Sequence, residues 1–372
     1  MGKNYNRILF FFVFVLILYD VFYEYIPVGL MFVIQTLSLI WMMLSVPVYF
    51  RQNHKSTFIT CSLLLVIDIL LSFFLTGASG TTFLKTCLFC MVIIFPFTNG
   101  WVSYSEFRRF SIIAIILSLI VYVIMLSKIR GSGDELAYGS GYVPVVILPL
   151  GLFLLRNKSN MAKLLYSISI LTLVLFSAKR GDILSCMLAI LTYFLLSSQR
   201  RKQGKVFNRI FSILFLVIVG IVLFNFFLNN FEVFQYKYEQ TSEGYSSGRD
   251  ELYQKIWDYY LASSWDKQLL GYGFDGVPRF IGGRAHNDWL EIIFGEGVIG
   301  AIIYLILVLS IVPMIFGKRV NMEYRPFFGS VLVIWIVKSI FSMFLFSMPT
   351  ILLFALIGYL MGSQQNNEQL IK

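Results

Sequence analysis

Long apolar runs separated by short basic or polar turns dominate the chain. A helix needs about 20 apolar residues to cross about 30 Å of hydrocarbon with its backbone groups satisfied internally. Runs at 8–26, 28–50, 57–76, 82–99, 110–127, 142–156, 161–177, 182–198, 208–230, 298–316, 326–346 and 347–362 approach or meet that length. The pattern predicts an all-α, polytopic membrane protein of about 12 transmembrane helices. The first run follows Lys3 and Arg7 and contains Asp20 and Glu24, so it reads as a retained helix; a secretory signal has a shorter core and a small-residue cleavage site.

One polar stretch interrupts this rhythm. It divides the chain into helices one to nine (1–230), a long loop (231–297), and helices ten to twelve with a tail (298–372). Within the loop, SGRDELYQKIWDYYLA predicts a helix from Ser247, with Ser247 as its cap and Asp250 near the capping-box position. Leu252, Tyr253, Ile256, Trp257, Tyr260 and Leu261 recur on one face. The glycine-rich LLGYGFDG and IGGR predict turns. Asn287 or Asp288 can cap a short helix, DWLEIIF, and Gly295, Gly297 and Gly300 permit a break before the tenth span.

Composition agrees with a membrane protein: 58% of residues are hydrophobic, 13% are charged, and mean hydropathy is +0.77. The net charge of +10 forms no concentrated basic face, which argues against nucleic acid as a partner. Topology accounts for it instead. With the N-terminus inside, the inner segments carry Lys3 and Arg7; Arg51 and Lys55; Arg108 and Arg109; Arg156, Lys158 and Lys163; the cluster from Arg200 to Arg209; Lys318, Arg319 and Arg325; and Lys372. That is more than half of the 30 basic residues. Both termini are expected in the cytoplasm and the long loop outside. Cys61, Cys87, Cys90 and Cys186 all lie in apolar runs, so Cys87 and Cys90 read as packing residues.

Three outer positions carry candidate chemistry. Arg180, in SAKRGDIL, sits at a very short outer turn, where a guanidinium either snorkels to lipid phosphate or binds an anionic substrate. Arg249, in SSGRDELY, falls in the first turn of the loop helix, where unpaired N–H groups favour an anion and Gly248 allows close approach; it can equally pair with Asp250 or Glu251. His286, beside Arg284 in GGRAHNDWLE, lies just ahead of a helix, and the unperturbed imidazole pKa of about 6.5 suits general-base work. A structural role is the plain alternative. The other histidine, His54, lies in a basic inner turn. The loop has no second histidine and no D-x-D triplet, so no metal or cofactor is expected. Asp68, Lys85 and Lys338 are charges within spans.

In order, SAKRGD, SSGRDELYQKIWDYY, LLGYGFDG and AHNDWLEIIFGEGVIG resemble motifs of the O-antigen polymerase and ligase superfamily. The last stretch resembles that family's A-H-N followed by an apolar run and E-G-x-x-G. The resemblance covers about 177–300, while the first spans add only hydrophobicity. It implies a GT-C-like membrane glycosyltransferase in the bacterial cytoplasmic (inner) membrane, working at the outer face. The implied donor is a sugar chain linked through pyrophosphate to undecaprenol, and the acceptor is a hydroxyl of a second glycolipid. Arg180 and Arg249 match the arginines that hold the pyrophosphate and His286 the histidine near the acceptor; Arg284, Ser247 and Asn287 are expected to help bind substrate. Membrane lipid, a flippase and a chain-length regulator are the partners implied. The expected activity is polymerisation of repeat units, with ligation to a lipid A core as the alternative. A glycolipid transporter is the reading from another class, but transporters often show two similar halves, whereas here the polar mass lies in one late loop.

The topology is testable with single cysteines in a background where the native ones are replaced. An impermeant thiol reagent on intact cells, after any outer membrane is permeabilised, should label position 242 or 264 and spare 203 or 321. Labelling at Gln203 would overturn the map.

Overall fold

The computed structural model describes residues 57–76, 103–131, 142–177, 179–197, 224–230, 248–317, 320–345 and 347–370, with isolated positions between 29 and 40, 86 and 93, 218 and 222, and at 235 and 239. The described helices are α1 (Thr57–Thr76), α2 (Tyr104–Gly131), α3 (Tyr142–Leu154), α4 (Asn160–Phe176), α5 (Arg180–Ser197), α6 (Arg249–Leu261), α7 (Trp265–Leu270), α8 (Gly276–Ile281), α9 (Asp288–Leu309), α10 (Val312–Phe316), α11 (Arg325–Phe341) and α12 (Ile351–Leu370), with a 3-10 turn at Met348–Thr350. Among the described residues, three helical segments are long and apolar enough to cross a membrane: Tyr104–Ile124, Arg180–Ser197 and Asp288–Phe316. Shorter apolar helices include Thr57–Phe73, Tyr142–Leu154, Asn160–Phe176 and Ile351–Ser363. The expected span at 8–26, and most of those at 28–50, 82–99 and 208–230, lie outside the described residues. The expected total of about 12 spans is therefore not reached among those described.

The spans expose apolar faces, as lipid-facing helices do. Ile112, Ile116, Ile120 and Val123 on α2, and Ile302, Leu305, Ile306 and Leu309 on α9, are all exposed. The chain forms two compact units. One comprises Met1–Val102, Ser246–Ile311 and Lys338–Lys372, and the other Ser103–Tyr245 and Val312–Val337.

In the second unit α3 is the buried element: Tyr142 to Phe153 are buried throughout, and α2, α4 and α5 pack around it. The Tyr166 ring lies against bare Gly151, and its hydroxyl donates to the Ile147 carbonyl at 2.9 Å. Tyr122 of α2 donates to the Leu173 carbonyl at 2.6 Å, and Ser330 of α11 to the Ala189 carbonyl at 3.0 Å. Cys61, Cys90 and Cys186 are buried in the helical packing.

In the first unit α9 is the axis, with α1, α6, α7 and α8 packed on it. It breaks at Gly297 (φ 67°, ψ −168°), a left-handed conformation that glycine adopts without steric cost. The break was expected from the glycines; what it connects was not. Carbonyls at the end of a helical segment need outside donors, and here Tyr272 N–H donates to Phe294 O at 2.9 Å and Gly273 N–H to Gly295 O at 2.7 Å. A Cβ at Gly271 would overlap the Gly295 carbonyl, and one at Gly297 the Leu269 carbonyl. The LLGYG glycines and the EGVIG glycines thus exist for one another, letting two backbones touch.

The long loop has its own core. Ile256, Tyr260, Val277, Ile281, Ala285, Leu290 and Phe294 are buried together, with Leu252, Tyr253, Tyr272 and Ile293 around them. Tyr272 stacks on Phe294 with centroids 4.8 Å apart. The expected apolar face of α6 holds for Ile256 and Tyr260, whereas Trp257 and Leu261 face outward, 39% and 65% exposed. Burial pushes the Tyr260 phenol up, and its hydroxyl donates to the Gln268 carbonyl. The cap of α6 is also corrected. Gly248, left-handed at φ 71°, is its N-cap with no side-chain hydrogen bond; Ser247 lies outside the described residues.

The eleventh and twelfth spans differ from expectation at their junction. α11 stops at Phe341 rather than continuing to 346, because the Asp288 carboxylate takes the backbone amides of Phe344 (3.0 and 3.1 Å) and Leu345 (3.1 Å). Tyr304 donates to the same carboxylate at 3.2 Å, and Asp288 is fully buried. A buried amide left without an acceptor costs about 1–3 kcal/mol. Asp288→Ala should therefore lower unfolding stability of the detergent-purified chain by about 3 kcal/mol, while Asp258→Ala at the surface should stay within about 0.5 kcal/mol. Equal unfolding midpoints for the two variants would rule out this pin.

Candidate functional site

The A-H-N element is a turn fixed on both sides. Ala285 is fully buried and its N–H donates to Glu291 Oε1 at 2.8 Å. Asn287 is the N-cap of α9, its Oδ1 accepting from Trp289 N–H at 2.9 Å and Leu290 N–H at 3.2 Å. Between them His286 has φ 51° and an exposed side chain. Left-handed backbone costs a residue with a Cβ about 1–2 kcal/mol. Anchored neighbours hold the histidine in that conformation and present its imidazole at the surface, and such strained positions cluster at functional sites.

Arg249 and Asn287 converge on the end of α11. Asn287 Nδ2 donates to the Ile340 carbonyl at 3.0 Å, and Arg249 Nη1 to the Phe341 carbonyl at 2.9 Å. Both carbonyls belong to the last turn of a helix, where partial negative charge collects and side-chain donors are favoured. The contacts hold Arg249 and the His286 turn against one short stretch, Ile340–Leu345, whose far end is held by Asp288. Arg249 spends one of its five donors on Phe341, so its planar fork retains capacity for an anion. The helix end beneath it is less anion-seeking than expected, since Asp250 and Glu251 in its own first turn already complement the dipole.

Arg284 sits two residues before His286 but is directed elsewhere. Its Nη2 donates to Asp275 Oδ1 at 2.8 Å, and Asp275 is buried, with its own left-handed φ of 59°. Arg279 braces the same turn, donating to the carbonyls of Tyr272 (2.9 Å) and Phe274 (3.1 Å). Arg284 therefore acts first as a strut for the loop.

Arg180 lies in the second unit and is described there alone. It is the exposed first residue of α5, whose start lies only four residues after Phe176, the last residue of α4. The Lys179 carbonyl accepts from Asp182 and Ile183 N–H at 3.0 and 3.1 Å, and Asp182 is buried beneath the turn. Both arginine and lysine face outward at a helix N-terminus, suited in type to an anion.

Sequence reasoning missed three parts of this arrangement. Asp288 was read only as a possible cap, Glu291 carried no role, and Ile340–Leu345 was placed inside a span. The signals were present in part: N-D-W-L-E puts a cap, a buried acid and a second acid at helical spacing, and S-M-F-L-F-S-M-P breaks the apolar run before Pro349.

Among curated proteins none matches the chain. A family model described as O-antigen ligase matches residues 164–305, which takes in α5, the long loop and the Gly297 break. The resemblance to the O-antigen polymerase and ligase superfamily, a group of membrane glycosyl-transfer enzymes, is thereby shown over that stretch.

Proposed function

We propose that the protein polymerises oligosaccharide repeat units carried on undecaprenyl pyrophosphate, by glycosyl transfer at the outer face of the bacterial cytoplasmic membrane. The observation that carries this reading is the strained, exposed His286 held beside Arg249 on one wall, within the stretch matched by the O-antigen ligase family.

In the reaction, the acceptor hydroxyl oxygen attacks the anomeric carbon of the donor. The bond from that carbon to the pyrophosphate oxygen breaks, and the pyrophosphate lipid leaves with the electron pair. His286, neutral beforehand, takes the hydroxyl proton. Arg249 addresses the pyrophosphate, whose negative charge grows on departure; a fixed guanidinium stabilises it without reorganising. Arg180 is assigned to the same group on the resemblance and on its exposed place at the start of α5. Asn287 holds the turn, Arg284 braces it through Asp275, and Ser247 is placed at substrate by the resemblance alone. The donor bond supplies the driving force, so no cofactor is called for.

Ligation to a lipid A core is the second reading, favoured by the description of the matching family. Deleting the gene separates them: loss of a polymerase leaves single repeat units on the lipid anchor, while loss of a ligase leaves long chains stranded there. Within either, Arg249→Lys and Arg180→Lys keep charge but lose the fork, and transfer at equal protein level should fall on the order of tenfold or more. Full activity in either variant would remove that arginine from the assignment. His286→Gln keeps hydrogen bonding without a useful base. It should cut turnover by about a hundredfold or more and abolish the acid limb of the pH profile, since a base must be deprotonated to act. Near-normal turnover with an unchanged acid limb would exclude His286 as the base.

A further inference from the structure

Two acids meet inside the first unit where neither takes part in the proposed transfer. Asp68 lies on α1 and Glu296 on α9, immediately before the Gly297 break. Both border Gly300. A Cβ there would overlap the Glu296 Cβ and come within 2.9 Å of Asp68 Oδ2, so this glycine makes room for the acids to approach. Glu296 is 3% exposed, with the Ser72 hydroxyl against its carboxyl, and Asp68 Oδ2 is buried without a hydrogen-bond partner.

Among the described residues few charges compensate them. Asp68 and Arg279 act electrostatically on Glu296, and Ser72 lies beside it. Ser72 Oγ accepts the Phe274 amide at 3.0 Å, and the Arg279 guanidinium is committed to the carbonyls of Tyr272, Phe274 and Asp275. Elsewhere on the elements packed against α9, Asp250, Glu251, Lys255 and Asp258 of α6 and Asp266 of α7 are exposed, and Lys267 is half-exposed. Two adjacent carboxylates, one buried and one half-buried, resist being ionised together without a counter-ion, because desolvation and mutual repulsion both oppose it.

We propose that Asp68 and Glu296 hold one proton between them, forming a carboxylic acid–carboxylate protonation site that joins α1 to α9 at the Gly297 break. Glu296, the deeper group, carries the proton, and Asp68 Oδ2 accepts it as a hydrogen bond. The ligand is a proton, and a monovalent cation between two carboxylates is the competing occupant. Ser72 on the same helix as Asp68 fixes the Phe274 amide of the long loop, so the shared proton lies where α1 is fastened to the loop.

Infrared spectroscopy of the full chain in lipid nanodiscs tests this directly. At neutral pH the wild type should show a protonated-carboxyl C=O band that Glu296→Gln removes, and Asp68→Asn should keep that band but shift it, since an amide is a weaker acceptor. A spectrum in which Glu296→Gln removes no such band would mean that both acids are ionised and that a cation sits between them. An unshifted band in Asp68→Asn would mean that Glu296 holds its proton alone. Either result overturns the proposal. If Glu296→Gln does not fold, the Asp68→Asn shift alone decides, its presence supporting sharing and its absence refuting it. None of these readouts depends on glycosyl transfer.

Discussion

The Asp288 carboxylate joins the two chain segments from which the candidate site is built. It sits at the first residue of α9 and takes the amides of Phe344 and Leu345, far along the sequence. Once that stretch is fixed, the carbonyls of Ile340 and Phe341 stand where Asn287 and Arg249 can reach them. The positions of the arginine, the histidine turn and the end of α11 are therefore consequences of one buried acid. Strict satisfaction of buried polar groups makes such an acid directive: it tolerates only neighbours that donate.

The second constraint is backbone contact between glycines. Gly271 and Gly297 bring α7 and the break in α9 together so closely that any side chain would collide with a carbonyl. The contact lets the amides of Tyr272 and Gly273 finish the hydrogen bonding of a broken helix. It also sets the loop's core, which includes Phe294, against the apolar helix α9. A rigid platform of this kind suits transfer between two lipid-anchored substrates, where orientation supplies much of the rate.

Much of this was legible in the sequence because its signals are local. The span at 57–76 coincides with α1, the Asn287 cap and the glycine break appear where composition put them, and α6 covers the stretch read as a loop helix. What escaped was long-range. Nothing local says that Gly271 and Gly297 are partners, that Asp288 ends a helix more than fifty residues later, or that Arg284 pairs with Asp275. The Ser247 cap failed because a left-handed Gly248 can begin a helix unaided. Trp257 and Leu261 share the periodicity of the buried face, yet periodicity does not reveal where a neighbouring element ends.

The most direct measurement uses the purified chain in nanodiscs with a defined oligosaccharide on polyprenyl pyrophosphate. Free polyprenyl pyrophosphate should appear in proportion to new glycosidic bonds, in the presence of a metal chelator and without nucleotide. Movement of intact donor between leaflets with no pyrophosphate lipid released would contradict glycosyl transfer and identify a transporter instead.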